Sequence, residues 1–170
     1  MNVLIVDDEC AHIEAVRRAF RAASTMAVVR TAGTLREYRE LLDSVPPDIA
    51  LLDLNLPDGC ALEALSLPQA ASPFPILIMT SQGDENWAVQ AMKAGALDYI
   101  VKSPGAFADM PHTVERALRE WNSLQSCRRV EEKLLTAEKL AVMGRLMAEV
   151  AHELNNPLAV VISKTSLIAG

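Results

Sequence analysis

Three cysteines, Cys10, Cys60 and Cys127, stand too far apart in 170 residues to suggest a disulfide framework or a thiolate metal site, and they fit a reducing compartment. Aromatic residues make up only 4% of the chain, and no apolar run reaches the length that spans a bilayer. No export signal is visible at the N-terminus, so the expected location is the cytoplasm, with no membrane contact. An excess of positive charge is also missing. The formal net charge is −6, and residues 1–122 hold 17 acidic against 10 basic side chains, so nucleic acid is not an expected partner. The balance shifts from residue 123 onward, where 5 acidic and 6 basic side chains remain.

What the chain does contain is apolar residues, at 51%, with alanine and leucine dominating. That composition argues against a disordered chain and favours an alternating α/β or helix-rich protein over an all-β one. The length suits one ordinary domain with an appendage.

Short apolar runs alternate with helical patterns. Val3 to Val6, Ala27 to Val29, Ile49 to Leu52, Ile76 to Met79 and Tyr99 to Val101 read as strands. Continuous rather than alternating apolar character implies strands buried on both faces, which predicts a doubly wound five-stranded parallel sheet. Helices are expected from about Ala11 to Ala22, Leu35 to Leu42, Ala61 to Leu67, Asn86 to Ala94 and from Pro111 onward. Turn chemistry separates them at Pro46-Pro47-Asp48, Pro57-Asp58-Gly59 and Ser72-Pro73-Phe74-Pro75.

The last helix is unusually long, because after Pro111 no proline occurs before Pro157 and Gly144 is the only interior glycine. Val130, Leu134, Ala137, Ala141, Gly144, Ala148 and Ala151 recur at spacings of four and three, with Leu140, Met147 and Leu154 widening the stripe. Such a stripe predicts a parallel homodimer through the C-terminal helix, in preference to a helix folded back on its own domain. Upstream, Leu118, Trp121 and Leu124 begin a similar stripe, whose phase Cys127, Arg128 and Arg129 disturb. The expected organisation is a domain at 1–122, a linking helix at 123–135 and a further helical segment at 136–170.

In an open parallel sheet, ligands bind beyond the C-terminal strand ends near the point where strand order reverses. Asp7 and Asp8 close the first expected strand, Asp53 the third, Thr80 the fourth and Lys102 the fifth. Any one aspartate after a strand is most often a turn former or helix cap. Five such groups at the right strand ends are another matter. Three carboxylates without histidine or cysteine form an oxygen-only site suited to Mg²⁺ and phosphate. Asp53 is the expected nucleophile, Asp7 and Asp8 the metal holders, and the Asn55 backbone carbonyl an added ligand. Thr80 and Lys102 suit phosphoryl oxygens.

The segments Val3-Leu4-Ile5-Val6-Asp7-Asp8-Glu9, Leu51-Leu52-Asp53-Leu54-Asn55-Leu56-Pro57-Asp58-Gly59, Ile78-Met79-Thr80-Ser81 and Gly95-Ala96-Leu97-Asp98-Tyr99-Ile100-Val101-Lys102 resemble the response-regulator receiver domain over residues 1–122. The resemblance implies a flavodoxin-like fold and Mg²⁺-dependent transfer from a cognate phosphohistidine donor protein onto Asp53. It also implies that Tyr99 is the aromatic coupled to Thr80 in switching. One departure is Ser103, which stands where the family commonly places a proline in a cis peptide; here the proline follows as Pro104.

His152, Glu153 and Asn156 lie on the last expected helix, where residues four apart share a face. A neutral imidazole can attack a phosphoryl group if a carboxylate handles its proton, and an amide one turn away can position a water. Pro157 is expected to bend or loosen the helix just beyond. His12 and His112 read as surface or packing residues. The run from Glu138 to Leu158 is similar to the first dimerisation helix of sensor histidine kinases, which implies His152 as phosphoacceptor. No second helix of that hairpin, ATP-binding helix or Gly-rich lid follows, so the chain is expected to be the N-terminal part of a longer histidine kinase and not to bind ATP. The alternative is a dimeric receiver adaptor whose coiled-coil tail and His152 are silent. A third reading, an aspartate-based phosphatase, is weakened by Asn55, which occupies the position of that chemistry's general acid.

Overall fold

The computed structural model describes residues 1–65, 72–81 and 85–166; the side chains at 85, 86, 88, 146 and 148–166 lie outside that description. The chain divides into two units, Met1–Ser123 and Leu124–Gly170.

In the first unit five parallel strands form one sheet in the order β2-β1-β3-β6-β7, with β1 at Asn2–Val6, β2 at Val28–Ala32, β3 at Ile49–Asp53, β6 at Ile76–Thr80 and β7 at Asp98–Val101. The two-residue strands β4, Asn55–Leu56, and β5, Gly59–Cys60, pair antiparallel outside that sheet. Helices α1 at Cys10–Ala22, α2 at Leu35–Ser44 and α3 at Glu85–Ala94 alternate with the strands. Thus the doubly wound parallel sheet expected from the apolar runs is the observed fold.

Alternate residues along each buried strand serve opposite faces. Leu4, Val6, Ala50, Leu52, Ile76 and Ile78 pack with Leu35 and Tyr38 of α2 and Ala91 of α3. Val3, Ile5, Ile49, Leu51, Leu77 and Met79 pack on the other face with Val16 and Phe20 of α1 and with Phe107, Met110, Val114, Ala117 and Trp121. Because both faces are covered, every residue of β3 and β6 is buried, which explains their unbroken apolar runs.

Several boundaries differ from expectation. The second strand is Val28–Ala32 rather than Ala27 to Val29, since its partner β1 carries the register on to Ala32 despite Arg30 and Thr31. Ala61–Leu65 is a 3-10 helix; Ser66 and Leu67 of the expected helix lie outside the described residues. An unexpected short helix, α4 at Pro104–Ala108, follows β7, with the Ser103 hydroxyl accepting from the Ala106 N–H at 3.1 Å and proline at its first position. No cis peptide occurs among the described residues, so Ser103-Pro104 is trans and serves as a helix start.

Helix α5 runs from Met110 to Ser166, and its assignment continues across Pro157. Leu118 and Trp121, expected to begin a dimer stripe, instead join the core of the first unit. The change of phase near Cys127 therefore separates two different duties. In the second unit Val130, Leu134, Leu140 and Met147 are exposed by 58 to 69%, as are Leu135, Val142 and Met143 off the expected stripe by 47 to 61%; the side chains of Ala148, Ala151 and Leu154 lie outside the described residues. Among the described residues no helix is long and apolar enough to cross a membrane.

Candidate functional site

Asp7 follows β1 directly, and its buried carboxylate is fixed by the Glu9 N–H, which donates to Oδ1 at 2.9 Å. Asp53 ends β3 beside Met79 of β6, and Thr80 follows Met79 at the end of that strand. Lys102 is placed by its own N–H, which donates to the Thr80 carbonyl at 2.8 Å. Parallel register thus brings the ends of β1, β3, β6 and β7 to one edge.

The side chains meet there. Asp7, Asp8 and Asp53 each offer a carboxylate oxygen within 4.8 Å of the others. The Lys102 ammonium lies 2.9 Å from Asp7 Oδ2 and 2.8 Å from Asp53 Oδ2, with the lysine side chain only 7% exposed. Burial pushes the Asp53 carboxyl above its ordinary range; the hydrogen bond and charge of Lys102 pull it back, Asp7 pushes it up again, and the Asn55 N–H lowers it. Burial alone would depress the Lys102 ammonium, yet hydrogen bonds and charge from Asp53 and Asp7 together outweigh it and raise the group.

The loop beyond Asp53 is tied to the opposite helix. Asp58 accepts from the Leu35 N–H at 2.8 Å and the Arg36 N–H at 3.0 Å, while Thr34 accepts from the Glu37 N–H at 3.1 Å. Three orphan donors at the start of α2 are satisfied in this way. These contacts hold the Asp58 carboxyl below the usual range, Leu35 contributing most. Gly59, at φ +154°, allows the return: a Cβ there would lie 2.9 Å from Glu63 Oε1 and 3.0 Å from Leu35 Cδ1.

Of the residues expected from sequence, Asp7, Asp8, Asp53, Thr80 and Lys102 share this edge, and Thr80 is buried. Asn55 sits on β4 with an exposed side chain. Tyr99 is 44% exposed on β7. His152, Glu153 and Asn156 fall in the helical backbone of α5, but their side chains lie outside the described residues. His12, read as a surface or packing residue, does pack against Phe107, and its Nδ1 also lies 3.3 Å from Asp7 and 3.3 Å from Lys102, a place at the acidic edge that the sequence reading did not give it. Its place on the first turn after β1 puts it near that edge, but nothing in the sequence says which way the ring turns.

The model of the response regulator receiver domain matches residues 3–114, the stretch that contains all but the first residue of the sheet and every member of the acidic edge. The chain belongs to this family. Relatives include the methanogenesis regulatory protein FilR1 of Methanothrix harundinacea, 34% identical over 130 residues, which cover 73% of this chain and 29% of that protein. The KDP operon transcriptional regulatory protein KdpE of Escherichia coli is 33% identical over 120 residues, covering 69% and 51%. A putative response regulator from Chloroflexus aurantiacus superposes with a TM-score of 0.59 at 27% identity, covering 69% of this chain and 97% of that structure. A receiver domain protein from Methanospirillum hungatei gives 0.61 at 25% identity, covering 72% and 96%. This receiver chain spans 29 to 35% of the length of the first curated relatives it matches, which carry further regions of their own.

The oxygen-only donor set fits the divalent cation that receivers of this family generally bind. Asp7, Asp8 and Asp53 are the residues present for it.

Proposed function

We propose that this receiver accepts a phosphoryl group on Asp53 from a phosphohistidine donor protein in two-component signalling. The observation that carries the reading is the Lys102 ammonium 2.8 Å from Asp53, with Asp7 and Asp8 beside it. An Asp53 carboxylate oxygen forms the new O–P bond as the donor's P–N bond breaks, and the departing imidazole keeps the electron pair and takes a proton. Lys102 compensates charge on the transferred group, and Thr80 offers a hydroxyl to one of its oxygens. Mg²⁺, when bound, supplies further charge neutralisation; Asp7, Asp8, Asp53 and the Asn55 carbonyl would hold it. The Glu9 N–H fixes Asp7 through Oδ1, and its Oδ2, now paired with Lys102 at 2.9 Å, is the oxygen it would share with the cation.

The finer reading makes residues 136–170 the first helix of a dimerisation and phosphoacceptor segment. His152 is then the acceptor, Glu153 handles its proton, Asn156 positions a water, and the exposed stripe from Val130 to Met147 pairs two copies. A dimeric adaptor with His152 silent is favoured instead by the family match ending at residue 114 and by relatives that are named as regulators.

Incubation with a phosphohistidine donor or acetyl phosphate and Mg²⁺ should give a hydroxylamine-sensitive label on Asp53 that D53N lacks. Equal labelling of D53N would overturn the assignment. Supplying a histidine-kinase ATP domain in trans should label His152 if the finer reading holds, and leave it unlabelled if the tail is an adaptor.

A further inference from the structure

His12 closes one side of the acidic pocket, and its ring meets four different elements. Nδ1 is 3.3 Å from both carboxylate oxygens of Asp7 at the end of β1 and 3.3 Å from Lys102 Nζ beyond β7. Nε2 is 3.4 Å from Glu9 Oε2 at the start of α1. The ring also lies against Phe107 of α4, with centroids 5.1 Å apart.

An ammonium has three N–H donors and accepts nothing. Lys102 has three partners: Asp53 at 2.8 Å, Asp7 at 2.9 Å and His12 at 3.3 Å. We propose that His12 is a positioning residue for phosphoryl transfer at Asp53, accepting one Lys102 hydrogen bond and thereby holding the ammonium aimed at the reacting carboxylate. In this role Nδ1 carries no proton and the ring proton sits on Nε2, which faces Glu9; the opposite tautomer, with Nδ1–H donating to Asp7, would deprive Lys102 of this acceptor and leave H12F and H12N without the contrast expected of them. Phe107 packs against the ring, tilted by 41°. With two of its donors held by Asp7 and His12, Lys102 keeps the third free to follow the oxygen of Asp53 as that oxygen becomes phosphorylated. His12 supplies direction rather than charge.

This inference rests on Asp53 being the phosphoacceptor, and two substitutions separate the hydrogen bond from the packing. H12F keeps an aromatic ring against Phe107 and loses the acceptor; H12N keeps a short acceptor and loses the ring. With acetyl phosphate at saturating Mg²⁺, H12F should be phosphorylated about three- to tenfold more slowly, the effect of one hydrogen bond. H12N should stay within about twofold of the unsubstituted chain, and the Mg²⁺ dissociation constant of both should move by less than about twofold. An unchanged rate in H12F, equal slowing of both variants, or a loss explained by weaker Mg²⁺ binding would overturn the proposal. If the unsubstituted chain accepts no phosphoryl group, the reading of Asp53 fails by itself. Proton exchange of the Lys102 ammonium, followed by nitrogen-15 NMR, then decides the role of His12. Exchange should be slower in the unsubstituted chain and H12N than in H12F, and equal exchange in all three would refute it.

Discussion

Replacing Lys102 by methionine retains most of the side-chain volume and removes the positive charge that faces both Asp7 and Asp53. Asp7 is fully buried, Asp53 is 9% exposed, and each has a carboxylate oxygen within 2.9 Å of the ammonium. At the effective dielectric of partly buried sites, one such pair is worth about 4 kcal/mol at ~4 Å. Desolvation of the ammonium offsets much of that gain, and methionine escapes it. What decides the outcome is the pair of carboxylates left behind, since an uncompensated buried charge costs about 3–5 kcal/mol. Asp53 keeps 9% of its side chain exposed, so water screens part of that cost and the lower end of the range is expected. Urea unfolding followed by circular dichroism, in the presence of a chelator, should show K102M about 3 kcal/mol less stable. Adding Mg²⁺ should restore more stability to K102M than to the unsubstituted chain, because the cation then answers the same carboxylates. D53N/K102M should lose less than K102M alone, the two sites being directly coupled. A K102M variant within about 0.5 kcal/mol of the unsubstituted chain under chelation would refute this reasoning.

Removing the Trp121 side chain should destabilise the first unit by about 3–5 kcal/mol in the same unfolding assay, because its ring is buried in the sheet face covered by α1 and α5. G59A should lower stability by about 1–3 kcal/mol, measured by thermal melting, since both the backbone angle and the contacts with Glu63 and Leu35 oppose a Cβ. On the alkaline side, Tyr38, pushed up to about 12 by burial, and Lys102, raised by its two carboxylates, bind protons more tightly folded than unfolded. Their stabilisation is complete below the unfolded values, 10.0 for Tyr38 and 10.5 for Lys102, and is lost as pH rises through the folded ones; Y38F should flatten part of that decline in a pH series of melting temperatures. On the acid side Asp58, held low by the α2 amides, adds stability above its unfolded value of 3.8 that disappears as pH falls through the folded value, and D58N should remove that portion of the slope.

The carboxylate edge was legible because each of its members ends a strand, and a parallel sheet places all such ends on one side. His12 was not legible in the same way. A histidine on the first turn of a helix has no sequence feature that distinguishes a solvent-facing ring from one turned toward Asp7 and Lys102; the direction depends on Phe107 and on where β7 delivers the lysine. The stretch from Leu118 to Leu124 misled for a related reason. An apolar stripe marks a face that needs covering without naming the cover, and the sheet takes Trp121 while Leu124 stays 40% exposed. The Ser103-Pro104 departure resolved into a capped helix, a local outcome that serine before proline can specify once the chain leaves β7.

By itself the sequence determined the βα alternation, the parallel sheet buried on both faces and the gathering of Asp7, Asp53, Thr80 and Lys102, because hydrophobic runs and the residues that end them are local properties of the chain. Only the tertiary structure decided which groups share the Lys102 ammonium, that Met110, Val114, Ala117 and Trp121 of the long helix join the core, and that α4 packs against His12. Those depend on distances between segments remote in sequence, which packing sets and no local pattern encodes.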